Sequence, residues 1–497
     1  SLLTRNMISY QLLLLLAILS FSAVNCQGTN DKIVPVKHTS TIAPETAPEI
    51  SSLCLTCDCT ARVINCADKG LTQAGFTNAK WPNKSSDLVS FEGNLLRRIT
   101  PFPKVEIRKL ILRKNQITEI DQGAFKQLIN LTELDLSRNQ LTSELLTPYA
   151  FKGRFSPEAY EPLKKLRLLS LAENQLHSLH QDLFEHLENL KVLNLSGNPF
   201  GIIDMRTSLA ITVLVYLEEL DLSYCSLKSL PDTFLHNFRY LKTLNLTDNR
   251  LSAIPLAFEE ATNLEYLYLD ENPIQIIDHN HGFPRMPRLK ELSLCCMPHL
   301  TVVGKGAFSG LTALETLAIK NSPKLEDIDE YALADQSSET TIWPPLKKLD
   351  LSDNALRYLP YLLVGRWDRL EQLNITNNKW NCDCNNQELI GSLLPKFGQK
   401  LMGNESDKLL CSMPPEHQGK NLVSLSHHRL RCPDLYGAQP EKDAAILVGM
   451  LIGLLLAIPL ALALFVFWRR GFFFCGSQGP ASFSRAFYKR AANEEDL

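Results

Sequence analysis

Between residues 89 and 379 the apolar positions recur in one spacing, L-x-x-L-x-L-x-x-N-x-L. A clear copy is Leu131, Leu134, Leu136, Asn139 and Leu141. Others start at Ile107, Leu166, Leu190, Leu217, Leu241, Leu264, Leu289, Leu314, Leu346 and Leu370, and a degenerate copy surrounds Val89, Phe91 and Asn94. Most starts lie about 23–27 residues apart, a period that marks a stacked repeat. Within each copy the x-L-x-L-x stretch alternates, which predicts a short strand with leucines inward and polar residues outward. Stacking such strands makes one long parallel sheet, and each buried leucine contributes roughly 1.5–3 kcal/mol. The asparagine after the strand carries two amide donors and an acceptor, suited to satisfying backbone groups where the chain turns away. Asn115, Asn139, Asn174, Asn198, Asn249, Asn272, Asn354 and Asn378 hold that place. Cys225, Met297 and Ser322 replace it in three copies, and the ladder is expected to be weakest at the last two.

Two intervals are long. They predict loops around Ser143 to Pro162 and around Ala334 to Pro345. Insertions of this kind leave a solenoid as loops and often serve binding.

The ends of the chain set the compartment. Leu12 to Phe21 is almost wholly apolar, short for a membrane span but suited to a secretory signal starting at Met7. Ala444 to Trp468 is an unbroken apolar run, followed at once by Arg469 and Arg470. Its length suffices to cross a hydrocarbon core of about 30 Å. The flanking charges put the C-terminus in the cytoplasm. The expected organisation is therefore a signal peptide (7–26), a Thr- and Pro-rich leader (27–53), an N-terminal cysteine cap (54–88) and about twelve repeats (89–379). A C-terminal cysteine cap (380–432), a linker (433–443), a transmembrane helix (444–468) and a short cytoplasmic tail (469–497) follow. Expected localisation is the plasma membrane, single-pass, with the N-terminus outside. Gly449-x-x-x-Gly453 suits close approach of two such helices, so a homodimer is one expected assembly. Cys475, beside the membrane, is a palmitoylation candidate, and Tyr488 a weak recruitment signal.

Composition narrows the function. The formal net charge is -3, which argues against nucleic-acid binding. No phosphate-cradling glycine loop, G-x-S-x-G or H-E-x-x-H is present, so the chain reads as a non-enzyme with no cofactor or metal. Asp278-His279-Asn280-His281 reads as polar loop.

Two cysteine groups bracket the repeats: Cys54, Cys57, Cys59 and Cys66 before them, and Cys382, Cys384, Cys411 and Cys432 after them. Spacing alone allows three pairings in each group, and zinc is the alternative that an exported chain disfavours. The repeat, together with "NKWNCDCNNQELIGSL" and "CSMPPEHQGKNLVSLSHHRLRC", closely resembles the extracellular leucine-rich-repeat family with its cysteine-rich flanks. With the apolar C-terminal run, it looks like cell-surface adhesion and guidance proteins of the Tartan, Capricious or trophoblast-glycoprotein sort. The resemblance implies an α/β solenoid: a leucine-rich-repeat horseshoe with a parallel concave sheet, disulfide caps and one transmembrane helix. It also implies the pairings Cys54–Cys59, Cys57–Cys66, Cys382–Cys411 and Cys384–Cys432. Cys295 and Cys296 stand outside the caps; a disulfide between them, free thiols, and pairing to another chain all remain open. Cys225 reads as simple packing.

Outward strand positions are the candidate partner face. Near the N-terminal end they are basic: Arg108, Lys109, Arg113 and Lys114, with Arg97 and Arg98 just before. In the middle they are acidic and aromatic: Glu218, Glu219, Asp221, Glu265, Tyr266, Tyr268, Asp270 and Glu271. An acidic protein or a sulfated glycan is expected at the basic end, with Tyr266 and Tyr268 anchoring a protein partner. Sequons occur at Asn83, Asn130, Asn194, Asn245, Asn374 and Asn404. Asn194, Asn245 and Asn374 share one outward strand position, so their glycans are expected to leave the acidic middle and the basic end as windows. The expected function is adhesion, recognition or co-reception toward an extracellular or cell-surface protein. The alternative is a receptor for a soluble ligand that signals through an associated chain.

Overall fold

A computed structural model describes residues 52–82, 85–155, 160–161, 163–337, 339–432 and 440–470. The signal peptide, the leader as far as Ser51, Asn83, the linker as far as residue 439, and the tail from Gly471 with Cys475 and Tyr488 lie outside the described residues.

Among the described residues, fourteen strands form one sheet in strict chain order. The first pair, Asp58–Cys59 with Val63–Asn65, is antiparallel, and every later pairing is parallel. Each repeat strand is short, as in Glu133–Asp135, Glu219–Asp221 and Tyr266–Tyr268, with a buried leucine between two outward residues. A smaller parallel sheet joins Ile276–Ile277, Val302–Val303 and Asp327–Ile328. This is the solenoid that the spacing predicts. Leucines alternate into the core, and one repeat cannot bury its face without the next.

The core runs the length of the repeats and includes Leu110, Leu134, Leu169, Leu193, Leu220, Leu244, Leu267 and Leu292, all fully buried. A second stripe is aromatic. Phe102, Phe125, Phe151 and Phe184 lie in a row with ring centroids 5.9, 6.3 and 6.4 Å apart. Phe258, Phe283 and Phe308 continue the pattern further on, at 6.5 and 5.7 Å. Such contacts add about 0.5–1.5 kcal/mol each beyond burial.

The asparagine ladder is present and fully bonded. Asn272 Nδ2 donates to the carbonyls of Leu246, Leu269 and Asp270, and its Oδ1 accepts from Leu251 N–H. Asn115, Asn139, Asn174, Asn198 and Asn249 repeat this arrangement. Asn94, in the degenerate first copy, does the same. At the substituted copies the ladder thins as the sequence implies. The Cys225 thiol makes only long contacts to the Leu195 and Ser223 carbonyls, at 3.5 and 3.3 Å. Burial pushes that thiol up to about 12. Met297 brings no side-chain donor, and only its backbone N–H reaches Ser322 Oγ.

The turn that presents each ladder residue carries a positive φ just before it. Lys114, Arg138, Glu173, Tyr224, Asp248, Glu271 and Cys296 have φ between 49° and 61°. Left-handed backbone costs a non-glycine residue about 1 kcal/mol, and in the copies that carry one the bonded asparagine holds it there.

The caps close both ends. Cys54 is joined to Cys59, Cys57 to Cys66, Cys382 to Cys411 and Cys384 to Cys432. Cys295 and Cys296 are joined to each other. In the first long interval the strands Arg154–Phe155 and Tyr160–Glu161 pair antiparallel. In the second, Asp335 bridges Ile342, and Trp343 Nε1 donates to the Leu362 carbonyl. Beyond the C-terminal cap, Pro440–Arg469 is one helix, and its segment Ala444–Arg469 is long and apolar enough to cross a membrane.

Candidate partner-binding face

Strand register decides which outward residues are neighbours. One row runs Lys109, Glu133, Leu168, Val192, Glu219, Thr243, Tyr266, Glu291. The adjacent row runs Ile111, Asp135, Ser170, Asn194, Asp221, Asn245, Tyr268, Ser293. A third row follows on the turns, where Tyr224, Asp248 and Glu271 hold equivalent positions in successive repeats.

The basic end is not a free positive surface. Arg113 and Lys114 both grip Glu92, each at 2.9 Å. Lys109 pairs with Glu133 at 2.7 Å, and Arg108 lies 3.7 Å from Asp87. Arg98 pairs with Asp121 and Glu119, and Arg97 donates to Gln116. Carboxylates one repeat away answer Arg98, Arg108, Lys109, Arg113 and Lys114, while the Gln116 amide oxygen answers Arg97, which a reading along the chain does not register. Lys114 first, and then Arg113, hold the Glu92 carboxyl below its ordinary range.

The middle is different. At the residue before each strand, Lys191, Glu218, Lys242, Glu265, Lys290, Glu315, Lys347 and Glu371 alternate in sign over eight repeats. Glu218 is paired to Lys191 and Lys242, Glu265 to Lys290, and Glu315 to Lys347. This ladder neutralises Glu218 and Glu265. Glu219, Asp248 and Glu271 form no ion pair among the described residues. Around them stand Tyr224, Tyr266 and Tyr268.

Each of the sequence-derived residues keeps a distinct place. Glu219 is exposed, and Tyr266 is half-buried beside it across one strand. Asp221 Oδ1 accepts from the Ser223 N–H and hydroxyl, so half of its carboxylate closes the turn. Asp270 is occupied by Ser293 Oγ and by Cys295 N–H, both at 2.6 Å. Tyr268 donates its hydroxyl to Glu291 at 3.3 Å, and burial pushes its phenol up to about 12. It is a half-sunken support more than a free anchor.

Tyr224 and Asp248 are the residues that strand alternation misses, because they sit on the turn. Tyr224 is 54% exposed at a φ of 56°. Its phenol is raised chiefly by Glu271, then by burial, Asp248, Asp221 and Asp270. A bulky residue in left-handed backbone is unfavourable, and an exposed ring does little for the core. The signal that could have found it is its place, one residue before the ladder position.

The sequons Asn194, Asn245 and Asn374 do lie outward, each half-buried. Their Oδ1 atoms accept from Ser196, Thr247 and Thr376 at the turn. Asp135, Asp221 and Asp350 make the same turn with Ser137, Ser223 and Ser352. The N-x-S/T pattern here therefore also serves the fold. The register corrects the expectation of an open acidic window: Asn245 stands directly between Asp221 and Tyr268. Elsewhere, Asn130 Oδ1 accepts from Lys165, and Asn404 is exposed in the C-terminal cap.

Leucine rich repeat models match residues 105–154, 153–200 and 215–274, and a BspA type leucine rich repeat region matches 280–359. The chain is 25% identical over 350 residues to podocan of Mus musculus, covering 63% of this chain and 54% of that one. It is 27% identical over 390 residues to the transforming growth factor beta activator LRRC32 of Pongo abelii, covering 66% and 57%. It thus spans about half the length of the relatives it matches. Among solved structures, it is similar to a chain in the octameric complex of Latrophilin 3, Unc5D and FLRT2. There the TM-score is 0.51 at 21% identity, covering 76% of this chain and 99% of that chain, which shows a shared fold.

Proposed function

We propose, from the premise that this is an extracellular leucine-rich-repeat protein with cysteine-capped flanks, that it is a membrane-anchored adhesion or recognition protein. Its repeats form a protein-binding domain. Its partner is an extracellular or cell-surface protein presenting a basic surface, bound at Glu219, Asp248, Glu271, Tyr224 and Tyr266. The observation that carries this reading is the contrast in pairing: among the described residues Glu219, Asp248 and Glu271 in the middle lack counter-ions, whereas Lys109, Arg113 and Lys114 at the N-terminal end have them. The exposed Tyr224 and half-buried Tyr266 among uncompensated charge supply contact area beside electrostatic steering. The helix Pro440–Arg469 supports a single-pass anchor, and Gly449 and Gly453 leave open space on it for a second copy. A sulfated glycan at the basic end is disfavoured, because Glu92, Glu133 and Asp87 already neutralise it.

The test is adhesion of cells expressing the full chain, measured against one another and against non-expressing cells. Adhesion in either arrangement, weakened by raised salt, supports the reading. Absence in both overturns adhesion and leaves the receptor for a soluble ligand, toward which similarity to a growth-factor activator points.

A further inference from the structure

Cys295 and Cys296 occupy the turn after the strand Glu291–Ser293, in the one repeat whose ladder residue is Met297. In the preceding repeat Asn272 Nδ2 ties three carbonyls together. Met297 ties none, and in the following repeat Ser322 Oγ reaches only the Lys320 carbonyl. The ladder is thus broken over two successive turns, and the covalent ring between residues 295 and 296 lies at the break. Cys296 holds the left-handed φ of 61° that an asparagine elsewhere enforces.

Both cysteines are half-exposed. Cys295 N–H donates to Asp270 and Cys296 N–H to the Lys320 carbonyl, which fix the turn against its neighbours. Adjacent residues hold their Cα atoms 3.8 Å apart, against about 4.4–6.8 Å in ordinary disulfides, and departures from that span make the bond more reducible. The four cap disulfides have Cα separations of 4.4–5.7 Å. The remaining described thiol, Cys225, is buried, so attack must come from outside.

We propose that the Cys295–Cys296 disulfide is a thiol-modifiable site that replaces the missing ladder asparagine, and that opening it loosens the turn beside Asp270. An external thiolate attacks one Sγ and forms a mixed disulfide, and the other cysteine leaves as a thiolate. A second external thiolate then attacks the donor sulfur, leaving two protein thiols and an oxidised donor disulfide. No metal or other oxidant enters. The accessible donors are small thiols such as glutathione, or a dithiol.

The experiment uses the intact full chain in detergent, titrated with dithiothreitol, with cysteine alkylation and amide exchange read by mass spectrometry. Cys295 and Cys296 are expected to label about tenfold faster than any cap cysteine. Exchange at residues 294–298 is expected to rise several-fold on opening. Met297→Asn, which restores the ladder, should suppress that rise while leaving the labelling order unchanged. Labelling no earlier than the caps, free thiols before any reductant, or exchange indifferent to both reduction and Met297→Asn would each overturn the proposal. None of these readouts needs the binding partner.

Discussion

The N-terminal end and the middle of this solenoid look like equal and opposite patches in sequence, and they are not equivalent in the folded chain. Arg113 and Lys114 share Glu92, and Lys109 has Glu133. Glu219, Asp248 and Glu271 have no such partners among the described residues. In a solenoid the nearest charge is about one repeat away in sequence. A run of like charges along one strand therefore says little until the neighbouring strands are set beside it. The middle also carries Tyr224, which accepts an unfavourable backbone and stands more than half exposed.

Breaking that contrast should have graded consequences. Reversing Glu219, Asp248 and Glu271 together to lysine is expected to weaken adhesion about a hundredfold, through loss of attraction and added repulsion. Tyr224→Ala is expected to cost about tenfold without changing thermal stability, since the ring is exposed. Asn245→Asp keeps the turn acceptor that Asp221 provides one strand away, so folding should be unchanged. If Asn245 carries a glycan, this variant removes it from between Asp221 and Tyr268 and should raise adhesion several-fold, read beside glycopeptide mapping.

The N-terminal pair should respond in stability instead of adhesion. Arg113→Ala with Lys114→Ala is expected to leave adhesion within about twofold and to cost roughly 0.5–1 kcal/mol. The pH dependence has a definite sign. Glu92 is depressed in the folded chain, so its contribution is present above the ordinary glutamate range and is lost as pH falls through the lowered folded value. The stability gap between wild type and the double variant should hold at neutral pH and close below about pH 4, checked by thermal unfolding across pH.

Much of the fold is legible in sequence because its grammar is local. Leucine spacing places the strands, and the asparagine position places the ladder and its weak points at Met297 and Ser322. Charge pairing is not local: Glu92 meets Arg113 and Lys114 across a strand boundary, and the Lys–Glu alternation from Lys191 to Glu371 emerges only when repeats are aligned in register. The outward tyrosines divide for the same reason. Tyr268 is anchored by Glu291 of the next strand, and Tyr224 projects from a turn that alternation does not describe. The sequons mislead because an Asx turn and a glycan acceptor share one pattern.

The most direct measurement compares two charge reversals in the full chain on cells, matched for surface expression. One reverses Glu219, Asp248 and Glu271, and the other reverses Arg113 and Lys114. The account predicts that adhesion is lost with the first and kept with the second. Adhesion kept with the first and lost with the second would place the partner at the N-terminal end and contradict it.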